Sequence, residues 1–228
     1  MNMQSRQGWV VAIDGPAGAG KSTVAAHLAR RFGLLNLETG AMYRALALKA
    51  LRSGTDVDDG NAVLALTRST RIVLEPGEVS NHVLLDGAEV TGDLRNPEVT
   101  AAASHVSVHG PVREWMVAAQ RSLGLAAATG VVMEGRDIGT VVFPNAAVKI
   151  FLDASVEARG DRRFAQQPAA AESREALLKD MRDRDTRDRS RAESPLRPAE
   201  DAMLLDTTGL SLDEVLQRAA DLVAERLG

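Results

Sequence analysis

The chain contains no cysteine, which excludes disulfides and every thiolate-bound metal centre. Aromatic residues make up 3% of it, with a single tyrosine, so a nucleic-acid surface built on stacked bases has little to work with. No apolar run approaches the length needed to span a bilayer. The first such run, Trp9 to Ile13, has five residues, too few for the apolar core of a secretion signal, and a cytoplasmic protein without membrane contact is expected. The formal net charge of −4 argues against a dedicated nucleic-acid binder. Against these absences stand 228 residues of which 45% are hydrophobic. That supply supports a sizeable core and excludes disorder, and the length suits one α/β domain with an elaboration.

Residues Gly15, Pro16, Ala17, Gly18, Ala19, Gly20, Lys21 and Ser22, followed by Thr23, form a complete G-x-x-x-x-G-K-[ST] loop. A buried-strand run, Trp9 to Ile13, precedes it. The segment Ser22 to Phe32, free of proline and glycine, reads as a helix after it. Strand, glycine loop and helix are the context this motif requires. The glycines let successive backbone N–H groups face an anion at a helix N-terminus, where the macrodipole also favours negative charge. Lys21 is expected to reach β- and γ-phosphates, and the Ser22 hydroxyl to ligate Mg²⁺. A nucleoside triphosphate is the expected ligand.

Further buried strands are expected at Leu34 to Leu37, Val131 to Glu134, Val148 to Asp153 and Met203 to Asp206, with helices between them. One helix follows Gly110-Pro111, with Val112, Trp115, Met116, Ala119 and Leu123 on one side. The last opens on Ser211 and Glu214, a capping box. Alternating strands and helices imply a parallel sheet covered on both faces, with ligands at the carboxyl ends of its strands. The pattern breaks at 70–92. There Arg71 to Glu75, a Pro76-Gly77 turn, Asn81 to Leu85, an Asp86-Gly87 turn and Ala88 to Val90 read as a three-stranded antiparallel insert. Gln166 to Ala171 reads as a mobile connection.

Three more constellations bunch charge at strand ends. Glu38 to Arg44 runs into a helix expected over Ala41 to Leu51 and contains the lone Tyr43 beside Arg44. An arginine there offers a paired donor to a second anion; an ordinary helix start capped by Thr39 is the alternative. Glu134 to Thr140 reads as a binding loop, or as a structural ion pair between Arg136 and Asp137. From Arg182 to Arg191 five arginines alternate with aspartates, and no lysine follows Asp180. On a helix Arg184, Arg187, Asp188 and Arg191 share a face. Arginine alone favours bidentate phosphate recognition; a solvated charged face is the alternative.

Taken together the motifs resemble the bacterial cytidylate kinases, within the nucleoside monophosphate kinases. The resemblance runs from about Trp9 to Leu227 and rests on GPAGAGKST at 15–23, TGAMYR at 39–44, ASHVSVHGPVR at 103–113, EGRDIGTVVFP at 134–144, KIFLDAS at 149–155 and RDTRDRSRA at 184–192. It implies a P-loop NTPase-type five-stranded parallel sheet flanked by helices, with the antiparallel insert and a helical lid. The implied layout is a single domain. Its core takes 9–38, 100–160 and 200–228, its monophosphate-binding region about 39–99, and its lid about 160–195. Glu38 and Glu134 stand where that family commonly has aspartate, which keeps the charge and alters the reach.

The resemblance further implies transfer of the γ-phosphoryl of ATP, with Mg²⁺, to CMP and also dCMP, within pyrimidine nucleotide metabolism and by a monomer. Lys21, Arg136, Arg184 and Arg191 are the implied catalytic residues, and Arg44 and Arg136 are implied to grip the acceptor phosphate. Thr39, Tyr43, Ser104, Arg113, Asp137, Arg184, Asp188 and Arg191 are implied around the acceptor nucleotide. A kinase of the same architecture acting on UMP, shikimate or gluconate is the alternative. A guanine-nucleotide switch is disfavoured, since Asp206-Thr207-Thr208-Gly209 has no N-K-x-D motif after it.

Overall fold

A computed structural model describes residues 8–77, 81–166 and 173–227. In chain order the elements are β1 (Val10–Asp14), α1 (Lys21–Phe32), β2 (Leu35–Glu38), α2 (Thr39–Arg52), α3 (Gly60–Thr67), β3 (Ile72–Glu75), β4 (His82–Leu85) and β5 (Ala88–Glu89). There follow α4 (Pro97–Val106), α5 (Gly110–Ala126), β6 (Val131–Gly135), β7 (Val148–Asp153), α6 (Val156–Gln166), α7 (Arg174–Ser190), β8 (Met203–Asp206) and α8 (Leu212–Leu227). The expected strands match to within one residue at each end, and β7 and β8 match residue for residue. Beyond Gln166, the connection expected to be mobile lies outside the described residues. None of the described helices is long and apolar enough to cross a membrane.

Two compact units emerge, Met1–Leu35 with Ala127–Gly228, and Asn36–Ala126. In the first, β1 lies between β6 and β7 and pairs in parallel with both, while β7 pairs in parallel with β8. The five-stranded sheet runs in the order β2-β6-β1-β7-β8, of which β6, β1, β7 and β8 lie in this unit. Every residue of β1 is buried, as expected of a central strand covered on both faces. Val11, Ile13, Val132, Ile150 and Leu152 pack with Val24, Ala25 and Leu28 of α1 and with Val215, Ala219 and Val223 of α8. Each valine, leucine or isoleucine among them contributes about 1.5–3 kcal/mol by leaving water. The capping box of α8 is present in both directions: Ser211 N donates to Glu214 Oε2 at 2.8 Å and Glu214 N donates to Ser211 Oγ at 3.3 Å.

The second unit holds the antiparallel sheet β3-β4-β5. Its β4–β5 turn uses Asp86 and Gly87 with φ of 52° and 90°, the left-handed pair that a two-residue hairpin demands. Two helices not delimited by periodicity are nevertheless capped. The Asp59 side chain accepts from Asn61 N and Ala62 N at the start of α3, and Asn96 accepts from Glu98 N ahead of Pro97 in α4. Helix α2 packs chiefly on α4.

Candidate active site

In the first unit the glycine loop follows the carboxyl end of β1. Gly15 has φ of 151°, and a Cβ there would lie 2.0 Å from the Leu152 carbonyl oxygen, so no other residue fits. Gly18 and Gly20 also take positive φ, 78° and 89°, and Gly20 precedes the first turn of α1. Pro16, Ala17 and Ala19 are buried, whereas Ser22 and Thr23 in that turn are exposed. Lys21 is buried, and its Nζ donates to Pro16 O at 2.7 Å. Burial pushes the Lys21 ammonium well below the usual lysine range; Arg136 and Arg184 push the same way, while Glu134 and Asp14 oppose them. A phosphate placed at Nζ would reverse that shift.

Parallel pairing of β1 with β6 sets Ile13 opposite Glu134 and Asp14 opposite Gly135. That register brings the Ser22 hydroxyl to Glu134, where Oγ donates to Oε1 at 2.5 Å. It also lets Asp14, 5% exposed, accept from Ile138 N at 2.8 Å and Gly139 N at 2.7 Å. Burial pushes the Asp14 carboxyl up to about 6, against the pull of those two N–H groups. Ile138 opens a π-helical turn, Ile138–Val142, whose N-cap position is the buried Asp137.

The arginine run forms the second half of α7, with one correction to the expected shared face. Arg187 is exposed, whereas Asp188 is 1% exposed. Arg191 lies just past the helix, at its C-cap with extended backbone, and folds back onto Asp188 Oδ1. Arg136 donates from Nε to Asp188 Oδ2 at 2.9 Å. Burial, the largest effect on Asp188, pulls its carboxyl up, but the guanidiniums of Arg136, Arg191 and Arg184 together hold it below the usual carboxylate range. Arg136, Arg184 and Arg191, each partly exposed, therefore gather around the buried Asp188 carboxylate.

In the second unit, α2 opens on Thr39 with Glu38 at the cap position, so Thr39 is the first helical residue and does not cap the helix. Arg44 Nη2 and Glu38 Oε1 are 2.5 Å apart, both side chains about one-quarter exposed. The Arg113 guanidinium stands 5.6 Å from the centre of the Tyr43 ring and donates from Nη1 to Ser107 O at 3.0 Å. Arg113 and Ser104 are both 3% exposed, and the Ser104 Oγ has no hydrogen-bond partner among the described residues. A buried hydroxyl left unsatisfied is a ready contact for a polar ligand.

Sequence reasoning missed a cavity of about 650 Å³ in the first unit, lined among others by Asp153, Ser155, Arg159, Arg182, Asp206 and Thr208. Its walls come from the ends of β7 and β8 and from α6 and α7, so no single motif marks it. Asp206 and Thr208, from the D-x-x-G stretch that no N-K-x-D motif follows, belong to this wall.

A phosphate loop at the end of the central strand of a parallel sheet defines a P-loop nucleotide-binding protein. Among solved structures, a gluconokinase from Sinorhizobium meliloti 1021 shares this fold with a TM-score of 0.50 at 16% identity, over 96% of this chain and 94% of its own. The family model for cytidylate kinase matches residues 11–225. A cytidylate kinase from Geobacillus sp. (strain WCH70) is 50% identical over 220 residues, 96% of this chain and 97% of its own. Another from Pasteurella multocida (strain Pm70) is 42% identical over 220 residues, 96% of each chain. The chain belongs to the cytidylate kinase family.

Proposed function

We propose that the protein is an ATP-dependent kinase of CMP and dCMP, serving pyrimidine nucleotide metabolism as a cytoplasmic monomer. The observation that carries this reading is near-full-length similarity to cytidylate kinases joined to an intact phosphate loop with a buried, charge-poised Lys21. In the proposed reaction a 5′-phosphate oxygen of the acceptor attacks the γ-phosphorus in line, and ADP leaves. Positioning and charge neutralisation supply the catalysis, with no covalent protein intermediate. Lys21 exchanges the Pro16 carbonyl for phosphate oxygens and regains full charge. Arg136, Arg184 and Arg191 meet the negative charge that spreads over the transferring group. Closure of α6 and α7 over the nucleotides keeps water from the γ-phosphoryl.

The donor set also fits a magnesium ion. Ser22 offers a hydroxyl beside one buried carboxylate, Glu134, and among the described residues no cluster of three or more acidic or histidine side chains competes as an all-protein metal site. Mg²⁺ takes one or two protein oxygens and completes its shell with phosphates and water. Bound there, it would neutralise β- and γ-oxygens.

For the acceptor we assign Arg44 and Arg136 to the phosphate, and Thr39, Tyr43, Ser104, Arg113, Asp137, Arg184, Asp188 and Arg191 to the nucleoside and its surroundings. Cytosine presents an amino donor beside two acceptors, which a carboxylate, a guanidinium and a hydroxyl complement. Asp137, Arg113 and Ser104 supply that set. The 650 Å³ cavity is assigned to the donor base. An ADP-release assay with CMP, dCMP, UMP, AMP and shikimate as acceptors tests the reading. Turnover confined to CMP and dCMP is expected, and preference for UMP or shikimate would reject it.

A further inference from the structure

Arg159 lines the cavity assigned to the donor base and has no assigned role toward the phosphates, yet it is the largest fully buried side chain of the described residues, at 2% exposed. It sits on α6, outside both the loop and the arginine run. Its Nε donates to Ala154 O at 2.9 Å, its Nη1 to Ala17 O at 2.8 Å and its Nη2 to Asp185 Oδ2 at 2.5 Å. One guanidinium thus joins the end of β7, the phosphate loop and α7. The other Asp185 oxygen accepts no hydrogen bond among the described residues, so Arg159 is the donor on which that carboxylate depends. Packing around it is tight. A Cβ on Gly18 would lie 3.3 Å from Arg159 Cβ and 3.1 Å from Met181 Cε, and one on Gly160 would lie 2.3 Å from Leu178 Cδ2.

The bond to Ala17 O has a geometric consequence. In a planar trans peptide the carbonyl and the following N–H point to opposite sides. Drawing the Ala17 carbonyl toward α6 turns the Gly18 N–H away from it. Beside Gly18 the α6 side is occupied by Arg159 and Met181, so an anion approaches this peptide from the other side, where loop N–H groups collect it. A lysine could not reproduce the arrangement, because only the planar fork reaches three acceptors in fixed directions.

We propose that Arg159 is a positioning residue for the donor phosphates: it fixes the Ala17–Gly18 peptide in its anion-binding orientation and, through Asp185, ties that orientation to α7. The proposal rests on the reading of the loop as the ATP site. Calorimetric titrations of MgATP, and separately of CMP, into the parent protein, Arg159→Lys and the double variant Arg159→Met/Asp185→Leu test it. The double variant removes both charges together, so no orphan carboxylate is left inside and Tm stays near that of the parent. Both variants should bind MgATP about tenfold more weakly, the scale of one charge-assisted hydrogen bond, and bind CMP as the parent does. MgATP affinity equal to the parent's in either folded variant overturns the proposal, and so does an equal loss for CMP, which would mark general loosening. Should the double variant fail to fold, the Arg159→Lys comparison decides alone. A parent protein that binds no MgATP overturns the kinase reading together with this one, whereas a binding parent with unaffected variants overturns only this one.

Discussion

Replacing Asp14 with asparagine should change how stability depends on pH more than it changes stability itself. In the folded chain the Asp14 carboxyl titrates at about 6, against an ordinary value of 3.8, because burial outweighs its two N–H donors. Folding therefore favours the protonated form. The contribution of Asp14 to stability is fully present below about pH 4, is lost as pH rises through about 6, and is constant above that. A gap of about 2 pH units corresponds to about 3 kcal/mol. Asparagine cannot ionise, so it escapes this loss. It can still accept from Ile138 N, but its amide N–H groups then face Gly139 N, and one buried donor left unmet costs about 1–3 kcal/mol. Asp14→Asn should accordingly be less stable than the parent at pH 4 and equal or more stable at pH 8, the curves crossing between. For a chain of this size 1 kcal/mol moves Tm by about 2–4 °C. The two tryptophans, Trp9 and Trp115, fall one in each compact unit. Thermal unfolding followed by Trp9 fluorescence in a Trp115→Phe background thus reports the unit that holds Asp14. A Tm difference between Asp14→Asn and Asp14 proteins that stays constant from pH 4 to pH 8 would refute the reasoning.

Lys21→Ala should fold normally and lose transfer by about 3–4 kcal/mol of transition-state stabilisation, two to three orders of magnitude in kcat; near-normal turnover in the folded variant would dismiss the role given to Lys21. Asp137→Ala should lower kcat/KM for CMP more than for UMP, narrowing their ratio by about tenfold. If both acceptors suffer alike, Asp137 acts only as a structural partner. Gly15→Ala should destabilise by more than about 2 kcal/mol, since its Cβ would sit 2.0 Å from the Leu152 carbonyl oxygen at φ of 151°. Unchanged Tm there would show that the loop relaxes freely.

The parallel sheet was legible because its strands are short apolar runs closed by charged or glycine residues, such as Val148 to Asp153 ahead of Ala154 and Ser155. The insert was legible from Asp86-Gly87, whose backbone demand only a few residues meet. Helix α6 was not, since VEARGDRRFAQ reads as polar with a helix-breaking glycine. Gly160 is there because α7 lies against it, with Leu178 where a Cβ would go. The site separates in the same way. Local motifs named the loop, Arg136, Asp137 and the arginine run. Contacts made by sheet register stayed hidden, among them Ser22 with Glu134, 112 residues apart, and Asp14 with Gly139, 125 apart. Arg159 gave no signal at all, because one arginine in a charged helix looks solvated until the fold encloses it.

Asp188 has a consequence that concerns timing. Arg136 and Arg191, left to themselves, would repel each other and drift toward solvent, and each polyanion would have to gather them anew. With the buried Asp188 carboxylate between them they are collected and oriented when the chain folds, before any nucleotide of the proposed reaction arrives. The same carboxylate also sets a threshold. A weak, singly charged anion cannot outbid a partner bonded to both guanidiniums at once, whereas a nucleotide bearing several negative charges can share them. In the proposed reaction Asp188 would thus favour multiply charged ligands over singly charged ones.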